Sequence, residues 1–337
     1  MSSATSAIPA GAAITAGKAT AAQMNYIRYN LHLDLHVTDV CGFSCPWCAY
    51  DAGRTPYVLP LEEVRRVFEE AAAHGMREVH IYGGEVLHLD AGYVAELLRL
   101  AREHFDHVGL LTRGQPLERF KAALPFLDSA FISLHPELPD TYEAVRLASS
   151  AGVKARTSVV VDRIAARRNP AEFAAKAHGS GADNIAFMYM SPVSEFLDPT
   201  TWRRSLKLWL TPAEWIQFLR RLKEVIPEEL QAFVRVQPAY AEAPRGCEVR
   251  EHIRRAVYYK GRYYLCHMAI PAGIGAATIE EALKTRGAYG VGRCVGYVQI
   301  AKSVAGADDD YRNLAGVPPG YAPECPMRTI KLSDLRL

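Results

Sequence analysis

Cys41-Gly42-Phe43-Ser44-Cys45-Pro46-Trp47-Cys48 decides how the rest of this chain is read. The spacing is C-x3-C-x2-C, so one tight loop can aim three sulfurs at a single centre. Three soft ligands on one loop suit an iron–sulfur cluster or zinc. No fourth thiol lies beside them, so one metal position is filled from elsewhere or left open. A structural zinc loop pairs C-x2-C with a second such pair or with a His pair. No such partner follows here.

Just before the loop, Leu31, Leu33, Leu35 and Val37 alternate with His32, Asp34 and His36. Period two predicts a strand. It ends in Thr38-Asp39-Val40 and delivers the Cys loop. His32 and His36 read as polar residues on the second face of that strand, in preference to metal ligands.

Beyond the loop, Pro60 and Gly75 bracket a helix with the expected asymmetry. Leu61, Val64, Val67, Phe68 and Ala71 form its apolar stripe. Glu78 to Tyr82 is a second strand, ending in Gly83-Gly84-Glu85. A helix with Val94, Leu97, Leu98 and Ala101 on one face follows. Val108 to Leu111 is a third strand, ending in Thr112-Arg113-Gly114. A short helix from about Leu117 precedes strand four, Ala130 to Leu134. Asp140 and Glu143 suggest a capping box, with Gly152 as the stop. Strand five runs from Ala155 to Val161, and Asn169-Pro170 opens the next helix. Strand six is Ile185 to Tyr189, and Thr211-Pro212-Ala213-Glu214 is a second capping box.

Strand then helix, six times, predicts an α/β fold with a parallel sheet. Eight such units would close a TIM barrel; six leave it open. Chemistry in barrels sits at the C-terminal ends of the strands. The Cys loop, Gly83-Gly84-Glu85 and Thr112-Arg113-Gly114 all fall on that rim.

Composition narrows the class. The chain has 337 residues, net charge +2 and 49% hydrophobic residues. Interspersed acids and bases argue against a nucleic-acid surface. Seven cysteines, clustered in a long chain, suit metal binding in a reducing compartment better than disulfides. No apolar run approaches the ~18–20 residues that cross a bilayer. The Ala/Ser/Thr-rich start is a poor signal peptide. The expectation is a cytoplasmic protein with a flexible tail over 1–25 and no membrane or nucleic-acid partner.

The Cys motif resembles that of the radical S-adenosylmethionine (SAM) superfamily, which places an aromatic before the third Cys, here Trp47. The resemblance implies a partial (β/α)6 TIM-like barrel over 26–240. It implies a [4Fe–4S] cluster on Cys41, Cys45 and Cys48, with SAM on the fourth iron. An electron from that cluster, supplied by a flavodoxin- or ferredoxin-type reductant, gives a 5′-deoxyadenosyl radical that abstracts a substrate hydrogen. Gly83, Gly84 and Glu85 match the family's Gly-Gly-Glu, which holds the SAM amino group; Val86 replaces the usual Pro. Glycines permit a close backbone approach and a carboxylate pairs with an ammonium, so the chemistry agrees. By the same resemblance Ser133 lies near the SAM ribose or carboxylate. Arg156 is a partner for that carboxylate, and the Trp47 backbone lies against adenine. Ser133 also reads as a buried hydroxyl, and Arg156 as a surface ion pair.

Past about residue 240 the alternation stops. Cys247, Cys266, Cys294 and Cys325 remain. Cys247, Gly261 and Cys266 resemble the opening of SPASM and twitch domains, which carry auxiliary [4Fe–4S] clusters; the dense group that completes a SPASM domain is absent. The resemblance implies a twitch-like unit over 241–337 with one auxiliary cluster on the four late thiols. Alternatively some are buried core thiols, or Cys294 or Cys325 is a free hydrogen donor.

The expected activity is dehydrogenation or epimerisation of a small polar intermediate of natural-product type: a sugar, aminocyclitol or nucleoside. The region before strand one is short and poor in apolar periodicity, unlike a leader-capturing segment. Maturation of a ribosomal peptide is the alternative, and a zinc- or cluster-stabilised interaction protein is the non-enzyme alternative. Rim candidates for substrate contact are His88, Arg113, His135, Glu137, Asp162 and Tyr189. The insertion from Ser191 to Leu210 is a candidate lid.

Overall fold

Leu33, Leu35 and Val37 are fully buried and lie on one face of β1 (His32–Thr38), with His32, Asp34 and His36 on the other. The computed structural model describes residues 31–43, 45, 48, 56–135, 140–190, 207–241, 247, 249, 255–270, 273–289, 322–323, 325 and 329–336. After the Cys loop come α1 (Leu61–Ala73), β2 (Glu78–Gly83), α2 (Ala91–His104) and β3 (His107–Thr112). Then follow α3 (Leu117–Ala123), β4 (Ser129–Ser133), α4 (Asp140–Ser150), β5 (Lys154–Val161), α5 (Pro170–Gly179) and β6 (Asn184–Tyr189). The six expected strands and their helices are therefore present.

The capping signals divide. The Thr211 hydroxyl and the Glu214 carboxylate form the expected box at the start of α6 (Pro212–Val225). Asn169 caps α5 through the Ala171 N–H. Asp140, by contrast, is the first residue of α4 rather than its cap. Glu143 turns outward, and its Oε2 accepts both Nε and Nη2 of Arg146 one turn on. The i,i+3 ion pair competes with the back-bond that a capping box requires.

Sequence periodicity did not anticipate the strands that complete the sheet. After the short α7 (Glu228–Gln231), β7 (Val234–Val236) runs parallel to β6. Beyond it lie β8 (Tyr240–Ala241), β9 (Arg255–Tyr259), β10 (Arg262–Tyr264), α8 (Ile279–Lys284), β11 (Ala322–Pro323) and β12 (Ile330–Lys331). Among the described residues the main sheet has the order β10-β9-β1-β2-β3-β4-β5-β6-β7-β12. Strand β9 is parallel to β1, pairing His32 with Arg255. The edges are the antiparallel β10 and β12, so the curved parallel sheet does not close on itself. This is an open, partial barrel.

Lys260 and Gly261 make the two-residue turn of the β9–β10 hairpin, with φ of 44° and 84°. Positive φ at both positions matches the twist of the strands, and the second suits glycine. The hairpin docks on α1: the Tyr263 hydroxyl donates to Glu70 at 2.7 Å, and Glu70 also accepts the Ile279 N–H of α8.

The helices cover the outer face of the sheet and leave a concave inner face. His80 of β2 meets Phe131 of β4 edge-on, at 4.8 Å between ring centres. They meet across β3 because Gly109 has no side chain: a Cβ there would stand 2.7 Å from the His80 ring and 3.2 Å from that of Phe131. Gly109→Val should lower stability by about 1–3 kcal/mol, the usual cost of overpacking. Urea unfolding checks this, and an unchanged midpoint would mean that the inner face is loose.

Candidate active site

The Cys loop is anchored on both sides. On exit from β1, the Val40 N–H reaches the Thr38 hydroxyl at 2.9 Å. The returning chain closes the loop where the Asp39 N–H meets Tyr57 O (3.0 Å) and the Leu59 N–H meets Val37 O (2.8 Å). Within the loop the Cys48 N–H donates to Cys45 O, and Gly42 N–H donates to His88 Nδ1 at 2.9 Å. To accept there, His88 must be neutral; burial lowers its pKa, helped by Arg119 and Arg113. Thus His88, a candidate for substrate contact, also braces the loop.

Gly83 and Gly84 are needed, but not first for a ligand. A Cβ at Gly83 would lie 2.3 Å from Thr38 O, and one at Gly84 2.3 Å from Val40 O. Here the end of β2 runs against the segment leading into the Cys loop, with Gly84 N–H on Thr38 O (2.6 Å) and Glu85 N–H on Val40 O (2.8 Å). The Glu85 carboxylate is 1% exposed. It accepts the Thr112 hydroxyl at 2.6 Å, Arg113 N–H at 2.8 Å and Leu87 N–H at 3.2 Å. Burial raises its pKa, and these bonds oppose the rise. One carboxylate thereby joins the ends of β2 and β3.

Cys41, Cys45 and Cys48 are half-buried and outside any disulfide. Burial pushes the Cys45 thiol up to about 11, while Arg113 pulls it down and the neighbouring thiols raise it. The Cys41 thiol is also raised, chiefly by burial. The Arg113 guanidinium lies over the Phe43 ring at 3.9 Å. Its Nε is buried with no hydrogen-bond partner among the described residues, as is Gln115 Nε2. Both border a cleft of about 330 Å³ beside the loop, with His88, Asp140 and Thr141. His135 Nε2 is 4.0 Å from Cys45 Sγ, and burial pushes its pKa down to about 4. Three thiols on one braced loop, flanked by a guanidinium and a neutral imidazole, fit an anionic thiolate-ligated cluster. A metal would displace the thiol protons that burial favours. The corner that zinc would need is supplied by no described Cys beside the loop.

The other sequence-derived candidates divide. Ser133 is exposed at the C-terminal end of β4, on the rim. Arg156 lies lower: it is paired with Phe131 and Asn184, two residues below the Ser133–Ser158 level, and stacks over the Phe131 ring at 5.1 Å. Asp162 is 3% exposed and caps a turn through the Ile164 and Ala165 N–H groups. Tyr189 donates to Leu210 O at 2.7 Å, and Arg163 to Trp209 O at 2.9 Å, so the end of the candidate lid is tied down. Trp47, Glu137, Cys294 and residues 191–206 lie outside the described residues.

Among the late thiols, Cys266 is buried just past β10, Cys247 is half-buried and Cys325 is buried. Tyr264 pairs with Val257, so Cys266 continues down toward the level of Arg255 and His32. It therefore sits at the N-terminal end of the strands, opposite the Cys41 loop. Seven residues of β1 separate the two ends, on the order of 20 Å at ~3.3 Å per residue.

Between the ends, the inner face is polar, and sequence reading largely missed this. Near the rim, His36 (fully buried) lies among the rings of Tyr57, Tyr82 and Tyr259, and Asp39 pairs with Lys260 at 2.5 Å. At the far end, Asp34 is surrounded by His32, His80, His267 and Arg255. The signal was available: Glu78-x-His80-x-Tyr82 alternates polar inward, as His32-x-Asp34-x-His36 does.

Residues 35–166 match the Radical SAM superfamily. A GTP 3′,8-cyclase of Aeromonas hydrophila subsp. hydrophila is 32% identical over 39% of this chain and 45% of its own length. One from Heliobacterium modesticaldum is 36% identical over 34% of this chain and 37% of its own. A nucleotide dehydratase (RSAD2) of Danio rerio is 25% identical over 34% of this chain and 33% of its own. The chain thus spans less than half the length of these curated relatives. Streptococcus suis SuiB, solved bound to precursor peptide SuiA, superposes with TM-score 0.58 at 16% identity, covering 74% of this chain and 62% of that one; it shares the fold. The superfamily uses a [4Fe–4S] cluster with SAM. No helix among the described residues is long and apolar enough to cross a membrane. A Radical SAM superfamily domain thus occupies residues 35–166, within a fold shared with SuiB over 74% of the chain.

Proposed function

We propose that this chain is a radical SAM enzyme acting on a small polar substrate, of nucleoside, sugar or aminocyclitol class, through dehydrogenation or epimerisation. The observation that carries the reading is the polar inner face between the Cys41 loop at one end of the strands and Cys266 at the other. Asp39, Lys260, His36, Tyr82 and Tyr259 give that face donors and acceptors suited to a hydroxyl-rich molecule more than to an apolar peptide side chain. The nucleotide-acting names of the curated relatives point the same way.

Cys41, Cys45 and Cys48 would hold the SAM-binding cluster. Cys247, Cys266 and Cys325, with Cys294, would hold an auxiliary one. When bound, the first supplies the electron that cleaves SAM, and the second can accept one from substrate. The protein's part is positioning. His88, Thr38 and Tyr57 fix the loop. Glu85 fixes the β2 and β3 ends against it and offers its carboxylate edge to the SAM ammonium. Arg113 keeps positive charge beside the thiolates. Lys260 and Asp39, an ion pair at the rim, are placed to orient substrate hydroxyls, and the buried inner face limits water.

The test is anaerobic reconstitution followed by reduction with SAM. About eight iron per chain are expected if both cluster assignments hold, and about four if only the first does. Deuterated nucleosides, sugars and aminocyclitols are then offered in parallel with a peptide library. Deuterium in 5′-deoxyadenosine from a small-molecule arm supports the proposal. Transfer from the peptide arm alone would replace it with the maturase reading.

A further inference from the structure

The far end of the inner face holds a second cluster of metal-ligating groups, away from the Cys loop. His32 and Asp34 lie two residues apart on β1, so both face inward, and His80 of β2 is register partner to Asp34. Asp34 Oδ1 is 3.3 Å from His32 Nε2 and 3.1 Å from His80 Nδ1. All three ligand atoms lie within 4.8 Å of one another. A tetrahedral zinc with bonds of ~2.0–2.1 Å has ligand–ligand edges of roughly 3.3 Å. Two of the three edges therefore already have about that length, and the third is no longer than 4.8 Å.

What surrounds these atoms is what a metal site needs. A ligating His donates its other ring N–H to a carboxylate or carbonyl, which fixes the tautomer and aims the free nitrogen. His80 does this: its Nε2 is 2.8 Å from Glu78 Oε1, leaving Nδ1 for the cluster. The second oxygen of Asp34 is taken by His267 Nε2 at 2.9 Å and by Arg255 at 3.4 Å. The carboxylate is therefore held to present Oδ1 alone. Asp34 is 4% exposed, whereas the side chains of His32 and His80 keep 16% and 12%. The group thus has an entry path.

We propose that His32 Nε2, Asp34 Oδ1 and His80 Nδ1 form a site for one divalent transition metal of the zinc class. Two imidazoles and one carboxylate are a borderline N/N/O set that favours such an ion over magnesium or calcium, and three protein ligands leave an open position. The ion would bridge β1 and β2 directly and, through Asp34, the His267 segment that follows Cys266. It does not depend on the radical reading, because none of its ligands belongs to either cysteine group.

The test keeps the thiols occupied. The full chain, reconstituted anaerobically with iron and sulfide, is freed of loosely bound metal and titrated with Co²⁺, then with Zn²⁺ in competition. The expected result is one Co²⁺ per chain. It should show ligand-field bands of nitrogen/oxygen coordination, no thiolate-to-cobalt charge transfer, and displacement by Zn²⁺. His80→Ala and Asp34→Asn should abolish the signal, and the surface variant His178→Ala should keep it. Glu78→Gln leaves every ligand in place, and its side chain is 38% exposed. It should weaken binding about 10–100-fold, the usual effect of losing an outer-shell carboxylate. That result keeps the test decisive if the buried variants fail to fold. Absence of a nitrogen/oxygen cobalt signal, or Glu78→Gln binding as tightly as the parent, would overturn the proposal and leave a proton-bridged ion-pair network.

Discussion

Glu85→Ala should lower stability by about 3–5 kcal/mol and abolish SAM cleavage, while Glu85→Gln should cost roughly half as much. The buried carboxylate accepts from the Leu87 and Arg113 N–H groups and from the Thr112 hydroxyl. Truncation to Ala leaves those donors without partners, at about 1–3 kcal/mol each and less than additively. It also opens a cavity where β2 and β3 meet. The amide of Gln can keep its oxygen on Arg113 N–H and turn its NH₂ toward the Thr112 oxygen, leaving Leu87 N–H as the main loss. Urea unfolding of the iron-loaded chain gives the stability order, and 5′-deoxyadenosine formation gives the chemistry. Equal midpoints for the two variants would show that the three bonds do not explain why a carboxylate is buried here. A Gln variant that is stable but cleaves no SAM would assign the charge itself to the ammonium, separating the ligand role from the structural one.

The same residues show what was legible before the structure. Apolar alternation in Leu33-x-Leu35-x-Val37 and the stripe Val64, Val67, Phe68 and Ala71 determine one strand and one helix face each, because burial on one side is a local property of the chain. The Cys spacing and the glycines at the end of β2 were equally legible, although Gly83 and Gly84 turn out to yield to the protein's own backbone before any ligand. Other features depend on partners far apart in sequence. Val234–Val236 is too short for a period, and becomes a strand only because β6 offers it an edge. Arg255–Tyr259 returns to lie beside β1, over two hundred positions earlier, and no local signal announces that pairing. Likewise Lys260 reads as a turn residue; its meeting with Asp39 follows from the hairpin's docking. The inner face could have been suspected, since polar residues alternating along two successive strands have nowhere to go but into the barrel.

Asp34→Ala should cost about 3–5 kcal/mol, measured with a chelator present to remove any metal contribution. The Asp34 carboxylate is held well below the usual range: His32, His267 and His80 outweigh the burial that opposes its charge. Arg255 lies 3.4 Å away and is only partly exposed. Removing the one central negative charge leaves the Arg255 guanidinium without this carboxylate, and the His80 imidazole, raised to about 9 by Asp34 and Glu78 against burial, with Glu78 alone. Asp34→Asn keeps an acceptor for His267 but not the charge, so it should fall between the parent and Ala. The cause can be isolated with a second change. If the cost is uncompensated positive charge, Arg255→Leu should be milder in the Asp34→Ala background than in the parent, with a coupling of about 0.5–3 kcal/mol. If instead the loss is a packing hole, the two changes should add. Additivity would mean that the far end of the barrel is held by shape, and that the ring of basic groups around Asp34 is incidental to its stability.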